Sequence, residues 1–421
     1  MIMNSKSRRL IFSTIGLFTL LTFFWGCETP ALKKRHSNNL TNESQLSNNW
    51  STNPSGPQGG YTVGSIQHIA MLLPLSGPHG QAAQAIREGY LAAYYENHGN
   101  GSKPNIQMYD TASTNNVVQL YEQAVQNGAD FVVGPLSKEH VLQLSQLSSG
   151  SLKAPILALN DHPFARSPSG AFIQFSLAPE TEVDQITDKA HRMGYRRAAI
   201  FVPSNAWGQR LKMKFRSNWE RLGGKIVSEI NVGSYENLSA QIQKLLAVEE
   251  SEDRSQAIKN LIKEKVEYQT RRRSDLDVVF MALPPQQARQ VKPLFNFYFA
   301  NDLPIYATSS IYSGTPNPGL DTDINGIEFV DMPGVLDPTR SQTVKSYLGR
   351  YSNSDNGESK RLFAMGMDAY QITQSFNQLE SSSQYWVNGS TGRLMLGPNN
   401  RIERLLSWGT FANGSPKVIQ Q

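Results

Sequence analysis

The sequence predicts an α/β protein built as two parallel-sheet lobes that the chain crosses more than once. Three observations carry that expectation. Short, near-continuous apolar runs alternate with segments of helical period, as in parallel strands buried on both faces and joined by right-handed crossovers. The alternation runs through two successive series, and a further helix and two short strands follow the second one.

The first strand begins at Gln67 and runs through His68-Ile-Ala-Met-Leu-Leu-Pro-Leu75, followed by the turn Ser76-Gly-Pro-His-Gly80. Ala82, Ala85, Ile86, Gly89, Tyr90, Ala93 and Tyr94 then recur at three- and four-residue spacing, which predicts a helix. The strand–loop–helix unit repeats as strand 105–109 with helix 117–126, then strand 130–133 with helix 138–147. Apolar runs at 155–159 and 171–175 close the first series. The second series reads as helix 180–193, strand 198–202, helix 209–222, strand 225–232 and helix 238–247. A charged helix near 254–268, strand 277–282, helix 286–299 and strand 304–307 complete it. Helix 361–379 and short strands near 394–396 and 408–411 end the chain. This is the plan of a type I periplasmic binding protein, whose cleft lies at the carboxyl ends of the strands. It assigns about 66–177 and 326–385 to the first lobe, and about 178–325 and 386–421 to the second.

Ahead of the lobes, Lys6, Arg8 and Arg9 precede an apolar run from Leu10 to Trp25 and then Gly26-Cys27. A basic stretch, a short apolar stretch and a small residue describe an export signal over 1–26. The run is shorter than the roughly 20 residues that a membrane span needs. Cys27, the single cysteine, stands where cleavage and acylation place it in bacterial lipoproteins, although Phe24 and Trp25 depart from the usual Leu-containing signal. Acyl chains add about 0.8 kcal/mol per buried CH2, so several chains make a firm anchor. Glu28 after the cysteine points to the periplasmic face of the outer membrane. Residues 27–65, rich in Asn, Ser, Thr, Gly and Pro, read as the anchor and a flexible tether, and 66–421 as the folded domain.

Hydrophobic residues at 39% and aromatics at 10% suffice for a full core. With Cys27 acylated, neither a disulfide nor a Cys-rich zinc site is available to the mature domain. The net charge of +5 is thinly spread and does not point to nucleic acid. The histidines at 36, 68, 79, 98, 140, 162 and 191 show no ligand spacing, and neither a Gly-x-Ser-x-Gly elbow nor a phosphate loop occurs. The sequence thus offers no catalytic residues, no metal site and no cofactor.

Two sets of binding candidates remain. Ser76 and Gly77 lie between the first strand and first helix, where free N–H groups and the helix dipole favour an anion such as an amino-acid carboxylate. The same Gly and Pro residues equally serve to shape a tight connection. Asn160 and Asp161 end the fourth strand on the cleft side, where Asp161 is a polar candidate or the cap of a turn before Pro163. Arg271, Arg272 and Arg273 follow the charged helix. The segment 249–273 reads as an insertion on the scaffold, a place where partner contacts concentrate.

Several blocks make the chain resemble the LppC-type lipoproteins. They are Ile69–Gly77, Arg87–Tyr95, Val133-Gly-Pro-Leu136, Ala158-Leu-Asn160, Arg271-Arg-Arg-Ser-Asp-Leu-Asp277, Gln287–Pro293, Leu303–Ser310, Arg361–Tyr370 and Gly389–Leu396. The resemblance implies a non-enzymatic outer-membrane activator that docks onto a class A penicillin-binding protein, a bifunctional peptidoglycan synthase, and stimulates crosslinking. Here the tether takes the place of the N-terminal tetratricopeptide-like domain of longer relatives. Gly334 follows Asp331-Met-Pro333, where the family often has Trp. The alternative on the same scaffold is a solute-binding protein holding an amino acid, peptide or muropeptide in its cleft.

Overall fold

Strand β1 (His68–Leu73) shows why the first half forms a sheet covered on both faces. Ile69, Met71 and Leu73 enter one apolar cluster with Phe131, Ile173 and Phe175, while Ala70 and Leu72 enter another with Tyr121, Val132 and Phe172. The strand stops at Leu73 because Pro74 has no N–H to give to the ladder. The computed structural model describes residues 63–97, 103–166, 169–233, 237–262, 267–268, 271–351 and 357–420.

The chain continues through α1 (Gly80–Glu96), β2 (Asn105–Asp110), α2 (Val117–Gln126), β3 (Phe131–Val133), α3 (Lys138–Ser145), β4 (Ile156–Ala158) and β5 (Phe172–Gln174). It then enters α4 (Glu180–Arg192), β6 (Arg197–Pro203), α5 (Ala206–Arg221), β7 (Lys225–Val232), α6 (Leu238–Leu246) and α7 (Val248–Ile262). Next come β8 (Val278–Met281), α8 (Pro285–Phe297), β9 (Ile305–Ala307), α9 (Pro318–Asp321) and β10 (Glu328–Asp331). The last elements are α10 (Pro333–Leu336), α11 (Pro338–Tyr351), α12 (Gly357–Gln374), α13 (Phe376–Ser381), β11 (Val387–Asn388), β12 (Arg393–Gly397), β13 (Arg401–Leu405), β14 (Ser407–Ala412) and β15 (Ser415–Val418).

These strands make two sheets, ordered β11-β12-β13-β5-β4-β3-β1-β2 and β15-β14-β10-β9-β8-β6-β7. Within each, β1 to β5 and β6 to β10 pair in parallel; strands from the end of the chain extend one side, β13 joining β5 in parallel and the other added pairs running antiparallel. The chain passes between sheets three times, from β5 to β6, from β10 to β11 and from β13 to β14. The predicted α/β plan with multiple crossovers is the observed one.

Sheet membership departs from the expected partition at two places. Glu328–Asp331, placed with the first lobe, is a strand of the second sheet, and 387–405, placed with the second lobe, joins the first. β10 is only four residues long, with a carboxylate at each end (Glu328 and Asp331), so its pattern was too short to read. β13 (Arg-Ile-Glu-Arg-Leu) alternates intermediate and buried positions, the signature of a strand with one covered face. Its charges hid that period. The charged helix lies earlier than expected, at Val248–Ile262.

Helix α12 ties the two halves together. Phe363, Ala364 and Met367 belong to the core of the second sheet, while Met365, Ala369, Tyr370 and Ile372 belong to that of the first. It packs on α1 at backbone distance: a methyl group on Gly89 would strike the Phe363 carbonyl, and one on Gly366 the Ile86 carbonyl.

Candidate functional site

At the carboxyl ends of the first sheet, Gly77 has φ +73, a left-handed conformation that favours glycine. The Ser76 side chain makes no capping bond, and a single turn of 3₁₀ helix, Gly77–His79, separates it from α1. Asn160 donates through Nδ2 to the Leu136 carbonyl at 2.9 Å and accepts from the Asp161 N–H at 2.9 Å. Asp161 accepts from Arg401 Nη1 at 3.3 Å, and Arg401 Nη2 donates to the His162 carbonyl at 3.0 Å. β3 separates β1 from β4, and no hydrogen bond or ion pair among the described residues joins Ser76 or Gly77 to Asn160 or Asp161. The ends of β1 and β4 thus stand two strands apart, and Asp161 already has a cationic partner from β13.

Charged groups that sequence reading passed over fill the junction between the sheets. Glu182, in the first turn of α4, is 5% exposed, and its oxygens accept from the Ser309 N–H and Oγ–H, each at 2.7 Å. Burial, and then the nearby Asp331 carboxylate, push its pKa up to about 7 against the pull of those bonds and of Arg404. Asp331, at the end of β10, pairs with Arg361 of α12 through both oxygens, and Arg361 also donates to the Tyr312 carbonyl at 3.2 Å. Two turns further along α12, Asp368 accepts from the Ser390 N–H (2.6 Å), the Thr391 N–H (2.7 Å) and the Thr391 Oγ–H (2.6 Å). Burial raises its pKa to about 6 despite these three donors.

Gln185 of α4 clasps the third crossing, donating to the Arg404 carbonyl at 3.1 Å and accepting from the Leu406 N–H at 2.9 Å. Arg404, 3% exposed, donates to the Thr391 carbonyl and Thr181 Oγ1 at 3.4 Å each. These bonds run from a helix of the second half to strands of the first. Chemically the arrangement is a cross-brace, in which Asp331 and Arg361 neutralise each other, Glu182 and Asp368 are held by several donors, and Arg404 spends its Nη atoms on neutral oxygens. Arg361 and Asp368 both lie in the Arg361–Tyr370 block, which was the one sequence signal that could have found them.

Gly334, at the family's Trp position, is buried in α10 and donates its N–H to the Ser390 carbonyl at 2.7 Å. A β-carbon there would lie 2.8 Å from that carbonyl and 3.2 Å from the Val344 side chain, so this backbone has no room for an indole.

A concavity of about 520 Å³ opens beside α1, α11 and α12, lined among others by Arg340, Tyr347, Tyr370, Gln371 and Asn388, and by none of the four cleft candidates. Arg340 Nη1 donates to the Gly389 carbonyl at 2.8 Å.

The arginine cluster lies at the opposite, amino-terminal end of the second sheet, just ahead of β8. Arg272 makes a two-point contact with Asp302 (2.7 and 3.2 Å), and Arg273 makes one with Asp275 (2.6 and 2.8 Å). The Arg273 guanidinium holds the Asp275 carboxyl down to about 2. Arg271 is exposed, and its N–H donates to Ser251 Oγ at 3.2 Å. Cys27 lies outside the described residues.

A family model described as "LppC putative lipoprotein" matches residues 61–414. The penicillin-binding protein activator LpoA of Vibrio antiquarius is 30% identical over 392 residues, covering 89% of this chain and 64% of that relative. The chain therefore spans less than two thirds of that relative's length. The solved C-domain of LpoA from Haemophilus influenzae, described as a regulator of PBP1A, is 26% identical with a TM-score of 0.64, covering 84% of this chain and 100% of that one. A substrate-binding protein of an ABC transporter from Sphaerobacter thermophilus shares the fold at a TM-score of 0.57 and 16% identity, covering 84% of this chain and 96% of that one.

Proposed function

The chain belongs to the LppC lipoprotein family, and from that premise we propose that it is a non-enzymatic activator of peptidoglycan synthesis. In this reading Cys27 carries the acyl anchor on the periplasmic face of the outer membrane, and the folded domain docks onto a class A penicillin-binding protein to stimulate crosslinking. The observation that carries it is the reach of the similarity. The family match runs over nearly all of the described domain, and the relatives it leads to are named as an activator and a regulator. The cross-brace of Glu182, Asp331, Arg361, Asp368 and Arg404 supports the same reading, because the junction's charged groups already have partners within the protein.

The solute-binding alternative rests on the shared fold and on the cleft loops at Ser76, Gly77, Asn160 and Asp161. The Arg401 contact of Asp161 weighs against it. One experiment separates the two. The mature chain is mixed with each class A synthase of the same cell, and crosslinked product is measured with and without added amino acids, peptides and muropeptides. Stimulation of one synthase in the absence of any solute is expected. No stimulation, together with saturable solute binding, would replace this reading with the solute-binding one.

A further inference from the structure

The amino-terminal rim of the second sheet carries features that neither the fold nor the cross-brace requires. Register places Arg197 beside Lys225, and the Asp277 N–H donates to the Arg197 carbonyl at 2.9 Å, so the starts of β6, β7 and β8 form one edge. Arg221, at the end of α5, and Arg271 border that edge. The rim's Asp277, Asp275 and Asp302 are engaged by Arg197, Arg273 and Arg272. The exposed Arg196, Arg221, Lys225 and Arg271 make no ion pair among the described residues. Arg196 spends its guanidinium on the His191 and Tyr195 carbonyls. The rim therefore keeps an excess of positive charge, moderated near Arg273 by Glu250.

Large apolar side chains stand among these cations. Met193, at the end of α4, is 57% exposed, and Phe297 and Phe299, at the end of α8, are 70% and 58% exposed. Phe299 has φ +56, a conformation that glycine adopts freely and a bulky residue resists. It stands just past the C-cap Tyr298, at the C′ position of a helix end closed by the Ala300 N–H reaching back to the Phe295 carbonyl at 2.8 Å. An aromatic ring is thus held in solvent at a position where glycine would relieve strain, which is the kind of outlier that points to function. Beside it lies a concavity of about 440 Å³ lined by Arg271–Ser274, Phe299, Asn301 and Asp302.

We infer that this rim is the docking face for the synthase and that it receives an acidic segment carrying an apolar side chain. The inference rests on the reading under Proposed function and adds the surface and the chemistry of its occupant. Exposed aromatic and arginine side chains around a concavity are the composition of an interface centre. Unpaired cations would draw in an acidic partner in a salt-dependent way.

The test compares the full mature chain, Phe299→Gly, and Arg196→Ser/Arg221→Ser/Arg271→Ser for synthase binding at low and moderate salt, with urea unfolding of each. Phe299→Gly is expected to unfold at an equal or higher urea concentration yet bind about tenfold more weakly. The triple variant is expected to bind more weakly with a shallower salt dependence, and its neighbours Arg272 and Arg273 are left intact to hold the loop. Wild-type affinity in both variants overturns the placement while leaving the activator reading standing. Wild-type chain that binds no synthase overturns both. A parallel arm with anionic phospholipid vesicles settles the other occupant: vesicle binding lost in both variants while synthase binding is kept assigns the rim to a membrane and overturns the proposal.

Discussion

Glu182 illustrates what a single buried carboxyl can impose on this protein. Its folded pKa of about 7 lies well above the 4.5 of an unhindered glutamate, and Asp368 is shifted the same way, from 3.8 to about 6. For an acid raised on folding, the folded state holds the proton more tightly than the unfolded chain. The associated stability is complete below the unfolded pKa and drains away as pH rises through the folded one. Between about pH 4 and 7 these two groups therefore lower stability with rising pH, by an amount on the order of a few kcal/mol for Glu182. Glu182→Gln keeps an acceptor for the Ser309 N–H and removes the titration. Its urea midpoint should vary less with pH across this window than that of wild type. A pH profile identical to wild type would show that Glu182 ionises without penalty. At this scale the sequence was least legible. Asp161 could be read as a cleft residue, but its partner Arg401 is 240 positions away, and no local pattern announces a pair set by the β13–β5 contact.

At the scale of elements, the alternation of strands and helices was legible through both series because the central parallel strands, such as β1, β3, β4, β6 and β8, are nearly uninterrupted apolar runs. What escaped was the region between β10 and β13, where strands are short, charged or antiparallel and identity depends on which sheet they join. Helix α12 was legible as a helix, but its role was not. Periodicity cannot say that a helix buried on many sides serves two cores. The contact of α12 with α1 gives this a testable form. Because Gly89 and Gly366 each face a carbonyl of the other helix, adding one methyl group forces the two backbones apart. Gly89→Ala and Gly366→Ala should each cost about 3 kcal/mol, the upper part of the usual range for overpacking. Helix propensity alone would favour alanine by up to about 1 kcal/mol. Measured stabilisation by either substitution would mean that the helices cross more loosely than described.

At the scale of the whole molecule, three crossings, one helix shared between cores and a buried cross-brace connect the two sheets. Arg361 is central, since it sits on α12 and pairs with Asp331 of the second sheet while donating to the Tyr312 carbonyl. Asp331 is 1% exposed, so removing its partner leaves a buried charge without an opposite. Loss of one member of such a pair costs about 3–5 kcal/mol, whereas apolar replacement of both is often neutral. Wild type should unfold in a single calorimetric transition, because neither sheet can lose α12 without exposing its own core. Arg361→Met should lower the transition temperature markedly and broaden or split the transition. Arg361→Met/Asp331→Leu should recover most of the loss, since the remaining charge is gone. If the double variant were as unstable as the single one, the Tyr312 and Ser309 contacts rather than the charge pair would be holding the sheets together. Two transitions in wild type would mean that the crossings join lobes that unfold independently.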